Sequence, residues 1–131
     1  MRVLDIKERD ECRYLLCDGG RTNQALAADV QPHLVLPIAD RGGYSRPTTI
    51  CGPTCMTDDR LGRFDLSEQI AAGDVLVWME AGAYHLPWET RFSHGLCAVA
   101  WFGADGQLVI ARERTAPLAS EWTTMAQTPY A

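Results

Sequence analysis

Val3-Leu4-Asp5-Ile6-Lys7, followed by Arg13-Tyr14-Leu15-Leu16-Cys17 and the stop at Asp18-Gly19-Gly20, decides the fold class. From Leu4 onward the first run alternates apolar and polar residues with a period of two, the mark of a half-buried strand. The second is an apolar run ended by a turn triplet. With the polar Glu8-Arg9-Asp10-Glu11 between them, they read as a hairpin-like pair. The same period continues outward. His33-Leu34-Val35-Leu36 is a third strand closed by Pro37, and residues 46–51 form a β-branched run that stops at Gly52-Pro53, which a central strand cannot continue through. Gly73-Asp74 introduces the strand Val75-Leu76-Val77-Trp78-Met79, and Gly82 ends that pattern. Residues 96–102 and Leu108-Val109-Ile110, joined by the turn Ala104-Asp105-Gly106, complete the set. Residues 56–63 are polar and read as a loop or short helix, residues 25–28 as one helical turn, and residues 115–131 as a small, polar surface tail. Six to eight short strands with little helix imply a mostly all-β chain, a Greek-key-like barrel or sandwich forming a single β-domain over residues 1–131.

The chain has 131 residues, enough for one domain to hide about two-thirds of its unfolded surface without a metal or disulfide scaffold. Net charge is −5 and basic residues form no run, which argues against nucleic acid and anionic membranes as partners. The longest apolar stretch, residues 96–102, falls far short of the ~20 residues of a membrane span. Met1-Arg2 leads into mixed polar sequence with no apolar h-region. Five cysteines, with no C-x-x-C pair, then read as reduced thiols in the cytoplasm. Of 12 basic residues only Lys7 is a lysine, so chemistry needing a lysine amine has one candidate here.

Phosphate-loop, dinucleotide-binding, nucleophile-elbow and H-E-x-x-H motifs are all missing. Cys51, Cys55, His85 and His94 lack the tight ligand pairs of a structural zinc site, and no metal is expected. Cys55, just past Gly52-Pro53-Thr54, is either a buried apolar thiol, the usual fate of free cysteine, or a thiol presented to a cleft. Tyr84, after the small residues Gly82-Ala83, either caps a carbonyl or offers its hydroxyl to an anion. His33 reads as structural, His85 as able to line the same cleft as Tyr84, His94 as solvent-exposed, and Trp88 as the tryptophan expected to be exposed.

Taken in order, these segments resemble one enzyme family. Gly52-Pro53-Thr54-Cys55-Met56-Thr57-Asp58-Asp59-Arg60-Leu61 is similar to the G-P-x-C-x-S-x-D-x-L signature of the pyridoxal-phosphate-dependent ornithine/diaminopimelate/arginine decarboxylases of the alanine-racemase-like fold. Gly73-Asp74-Val75-Leu76 resembles their G-D-x-L, Gly82-Ala83-Tyr84 their G-A-Y, and Phe92 the aromatic eight residues after that tyrosine. Asp18-Gly19-Gly20, His33 and Arg112-Glu113-Arg114 also fit the family order. The resemblance covers only the C-terminal β-domain. The TIM barrel that carries the cofactor lysine has no counterpart here, and Lys7 stands where the family has a strand lysine.

The resemblance implies a small subunit of a split pyridoxal-5'-phosphate-dependent amino-acid decarboxylase, inactive alone, working in a hetero-oligomer with two composite sites shared with a separate TIM-barrel subunit. Met1 followed directly by a patterned strand fits a natural start at the domain edge. The cysteine matching Cys55 reaches across the subunit interface and, as a general acid, protonates the carbon that carbon dioxide leaves. The tyrosine matching Tyr84 hydrogen-bonds the cofactor phosphate, and the glycine matching Gly82 allows close approach at the interface. The aspartate matching Asp59 makes an inter-subunit ion pair with a barrel lysine, and Phe92 lies near the substrate. Two departures bear on the small amino-acid substrate. Met56 stands where many relatives carry an acidic residue, so a distal ammonium would lack its partner there. Ala25-Leu26-Ala27-Ala28 replaces the stretch with the arginine that holds a distal carboxylate in diaminopimelate enzymes. The alternatives are a non-catalytic domain that regulates or stabilises a decarboxylase barrel, and a racemase-type partner.

Overall fold

The computed structural model describes residues 1–24, 33–82, 84–92 and 94–116. They form two compact units, Met1–Trp88 and Glu89–Ala131. Among the described residues there are eight strands and one helical turn, mostly sheet as expected, arranged in three small sheets with no closed barrel.

In the first unit β1 (Val3–Arg9), β2 (Cys12–Cys17), β4 (Ser45–Cys51) and β5 (Arg60–Ser67) make one sheet in the order β1-β2-β4-β5. β1 and β2 form the anticipated hairpin, with Arg9 opposite Cys12. The two residues of its turn, Asp10 and Glu11, both have positive φ (50° and 63°), the backbone that matches a tight hairpin to the twist of its strands. β3 (Val35–Pro37) leaves this sheet to pair antiparallel with β6 (Leu76–Trp78), and the chain returns as β4 parallel to β2. This order, rather than an antiparallel meander, places the ends of β2 and β4 side by side.

The period of two becomes burial. Leu15 and Cys17 of β2 face inward and are fully buried, as are Ile50 of β4 and Leu61 of β5, while Tyr14 and Leu16 turn to the other face. Leu15 and Ile50 are register partners, so the centre of the core is a cross-strand pair. Val3, Val35, Leu66, Ile70, Leu76 and Trp78 close it, with Phe64 set edge-on to Trp78 at 5.2 Å and 87°. β5 begins inside the stretch expected as loop or helix. Leu61 and Leu66 anchor it, and Gly62 (φ 138°) absorbs the register shift in β4–β5 pairing near Cys51. Sequence reading missed this strand because Arg60, Arg63 and Asp65 occupy its solvent face and hide the alternation.

One inward position is charged. Arg13 is only 3% exposed, and its guanidinium donates to the Ser67 carbonyl at 2.8 Å and the Ile70 carbonyl at 2.7 Å. Burial pulls its pKa down while Glu8, 3.9 Å away, opposes that shift. The Gly73-Asp74 motif is also structural. Gly73 N–H donates to the Val3 carbonyl, Val3 N–H to the Asp74 carbonyl, and the Asp74 carboxylate accepts from Ala71 N–H at 2.9 Å and pairs with Arg41. The Arg41 hydrogen bond, then that of Ala71, holds the Asp74 carboxyl below its usual range.

α1 (His85–Trp88) ends the first unit and buries His85. The second unit contains the hairpin of β7 (Val99–Phe102) and β8 (Leu108–Arg112), turned at Ala104-Asp105-Gly106 with Gly106 at φ 77°. Arg112 pairs with Glu89 and donates to the Cys97 carbonyl at 2.9 Å. Thr115, the first residue of the expected tail, donates its N–H to the Leu96 carbonyl and accepts from Leu96 N–H through its hydroxyl. His94, expected at the surface, is half-buried because its ring Nε2 is enclosed. The remainder of the tail, from residue 117, and the helical turn at 25–28 lie outside the described residues.

Candidate active site

β4 and β5 pair as far as Cys51 opposite Arg60, and the loop between them, residues 52–59, carries Cys55 at its tip. Gly52 N–H donates to the Asp59 carbonyl at 2.8 Å, closing the base of the loop. Asp59 N–H donates to the Met56 carbonyl at 3.1 Å, tightening its far side. Cys55 and Met56 are exposed, so of the two readings of the thiol the exposed one holds. No disulfide forms among the described residues. The cysteine environments differ: burial pushes the Cys17 thiol up to about 12 and raises Cys51 as well, leaving both poorly suited to proton exchange at neutral pH.

Asp59 faces the opposite way. It is 3% exposed, and its carboxylate accepts from Arg21 N–H at 2.8 Å, Thr54 N–H at 2.9 Å and the Thr54 hydroxyl at 2.5 Å. Both carboxylate oxygens are therefore occupied within the chain.

Tyr84 and Gly82 lie in the segment leading into α1. Tyr84 is 70% exposed and held at φ 66°, an uncommon backbone for an aromatic residue. Gly82 faces open space, so no neighbour among the described residues requires a glycine there. Phe92, also exposed, belongs to the second unit.

Next to Tyr84 in sequence, His85 is buried beside His33, with ring centroids 5.6 Å apart, and His33 stacks edge-on to Trp78 at 6.1 Å. His33 Nδ1 bonds the Met79 carbonyl at 3.0 Å, while His85 Nδ1, His33 Nε2 and Trp78 Nε1 lack partners among the described residues. Burial, then the His33 charge, lowers the His85 pKa. A histidine whose folded pKa is depressed takes up its proton more readily when unfolded, so stability is full above the unfolded value of ~6.5 and falls as pH drops through it. Thermal midpoints are expected to fall more steeply between pH 7.5 and 5.5 in the native chain than in His85→Gln. Parallel curves would show that His85 does not carry the acid sensitivity.

A cavity of about 630 Å³ lies on the outer face of the first sheet, lined by Lys7, Arg9, Tyr14, Leu16, Cys51 and Arg60 among others. Neither Cys55 nor Tyr84 borders it. This cavity therefore brings together the single lysine with neither of the two motif side chains. Among the described residues no helix is long and apolar enough to cross a membrane, and no three His, Cys, Asp or Glu side chains cluster as a metal site.

Residues 1–82 match the family described as pyridoxal-dependent decarboxylase, C-terminal sheet domain. The chain belongs to this family. A curated diaminopimelate decarboxylase from Actinosynnema pretiosum subsp. auranticum is 31% identical to this decarboxylase sheet domain over 85 residues, 64% of the chain and 20% of the relative. A crystal structure of diaminopimelate decarboxylase superposes with a TM-score of 0.83 at 22% identity, covering 97% of the chain and 33% of the neighbour. The M. jannaschii enzyme in complex with L-lysine gives 0.79 at 20% identity, covering 98% and 29%. Carboxynorspermidine decarboxylase from Campylobacter jejuni, with norspermidine bound, gives 0.71 at 20%, covering 87% and 35%. The sheet domain spans a fifth of the curated relative and about a third of these solved chains. Sequence reading missed Thr54, Arg21 and Gly20 as partners of Asp59. The available signal was a pair of glycines at turns, Gly20 and Gly52, and the structure shows that neither has the positive φ that would otherwise explain them.

Proposed function

We propose that the chain supplies Cys55 and Tyr84 to the composite active site of a pyridoxal-phosphate-dependent amino-acid decarboxylase completed by a TIM-barrel partner. The observation that carries this reading is Cys55, an exposed thiol at the tip of a loop held by hydrogen bonds to the buried Asp59. The cofactor, when bound, withdraws electrons from the bond to be broken. It would be held chiefly by the partner, since the only lysine here, Lys7, lies on β1 beside a cavity that neither Tyr84 nor Cys55 borders. Tyr84 fits a contact to the cofactor phosphate because its side chain is exposed. Cys55 acts on the carbon that loses its carboxylate. The carbon–carbon bond breaks, the electron pair stays with the carbon, the thiol proton forms the new carbon–hydrogen bond, and the thiolate reprotonates from water. Met56, exposed beside Cys55, offers no charge to a distal ammonium, which favours a substrate whose far end is not read at that position.

The test is reconstitution. The chain alone is expected to bind no pyridoxal phosphate. Mixed with a barrel-only decarboxylase subunit, it is expected to restore cofactor absorbance and carbon dioxide release. A mixture that binds the cofactor but releases no carbon dioxide from any amino acid supports a stabilising domain instead.

A further inference from the structure

Asp59 joins two turns that are distant in sequence. β2 and β4 run parallel and end together at Cys17 and Cys51, so the turn after β2 and the loop after β4 emerge at the same edge of the sheet. From the β2 side Arg21 N–H reaches Asp59 Oδ1 at 2.8 Å. From the β4 side Thr54 gives Oδ2 both its N–H at 2.9 Å and its hydroxyl at 2.5 Å. The slot for the carboxylate is built from two glycines. A Cβ on Gly20 or on Gly52 would lie inside van der Waals contact of both carboxylate oxygens, and one on Gly20 would also lie 2.7 Å from the Gly52 Cα. Neither glycine is needed for its φ, so close approach to Asp59 accounts for both.

We infer that Asp59 is a positioning residue: its buried carboxylate clamps the Cys55 loop to the turn at Gly20-Arg21 and fixes where the thiol is presented. The inference rests on the reading of Cys55 as proton donor, but the clamp itself is a property of this chain. Thr54, the residue immediately before Cys55, supplies two of the three bonds, so the restraint acts one peptide away from the thiol. A donor one ångström out of place loses much of its effect, which is how a residue that touches no substrate alters turnover.

The test has two arms. The first uses the full chain alone and measures amide hydrogen exchange residue by residue. In Asp59→Ala the Arg21 and Thr54 amides are expected to exchange at least ~10-fold faster, the size of a lost charge-assisted hydrogen bond, while Leu15 and Ile50 keep their protection. Thr54→Val removes one bond and is expected to give a smaller rise, which Thr54→Ser rescues. This pair decides the question if Asp59→Ala does not fold. Unchanged exchange at Arg21 and Thr54, or equal loss across the core amides in Thr54→Val, overturns the clamp. The second arm uses the reconstituted complex, where Thr54→Val is expected to lower kcat with KM within about twofold of the native value, again rescued by Thr54→Ser. A rise in KM alone overturns the positioning role. Should the native mixture show no decarboxylation, the decarboxylase reading fails while the exchange arm still decides the clamp.

Discussion

Cys55→Ala in the reconstituted pair is expected to cut turnover by ~10²-fold or more, the usual worth of a positioned general acid, or to divert the proton to a different carbon. Cofactor absorbance should persist, because the substitution removes one exposed sulfur and breaks none of the bonds that hold the loop. Neither Cys17 nor Cys51, the thiols at the strand ends beside the loop, is placed to substitute. Cys17 is fully buried with its pKa near 12, and Cys51 is held up by burial on the sheet behind the loop. Cys55→Ser keeps the shape but offers a far weaker acid, so its turnover should lie nearer to Ala than to native. Native rate and native product in Cys55→Ala, measured with deuterated water to locate the new hydrogen, would remove the thiol from the chemistry.

Arg13→Met should have the largest effect on stability, about 3 kcal/mol. The methionine fills the space of the arginine stem but leaves the part-buried Ser67 carbonyl and the buried Ile70 carbonyl without their guanidinium donors. Hydrogen bonds to a charged group contribute ~1.5–3 kcal/mol each, and part of that is returned because the guanidinium no longer has to be desolvated. For a chain of this size the thermal midpoint should drop by roughly 10 °C. Arg13→Lys should recover little, since one ammonium on a flexible stem does not reproduce a fork spanning two carbonyls. A midpoint within about 2 °C of native would show that water or a shifted side chain satisfies those carbonyls.

Arg13 also shows where sequence reading reached its limit. Its inward position comes from the same alternation that buries Leu15 and Cys17, so the site was readable, but the carbonyls that justify the charge come from residues 54 and 57 positions away. The strands themselves were readable wherever one face is apolar: β1, β2, β4, β6 and β8 fall where the pattern placed them, within a residue or two. β5 was not, because three charged side chains on its outer face outweigh Leu61 and Leu66. The parallel pairing of β2 with β4 was unreadable for a different reason, since period-two patterning fixes faces and not neighbours. For the candidate site, resemblance located Cys55, Asp59 and Tyr84 along the chain. Only packing revealed that Asp59 turns inward between two glycines while Cys55 and Tyr84 turn out.

The side-by-side exit of β2 and β4 also bears on how a second polypeptide would engage this edge. The loop that bears the thiol is held by its own neighbouring turn, so a partner docking there would incur little entropic penalty for arranging it. Complex formation at that edge would then approach rigid-body association, with a rate set by diffusion and charge rather than by folding of the loop.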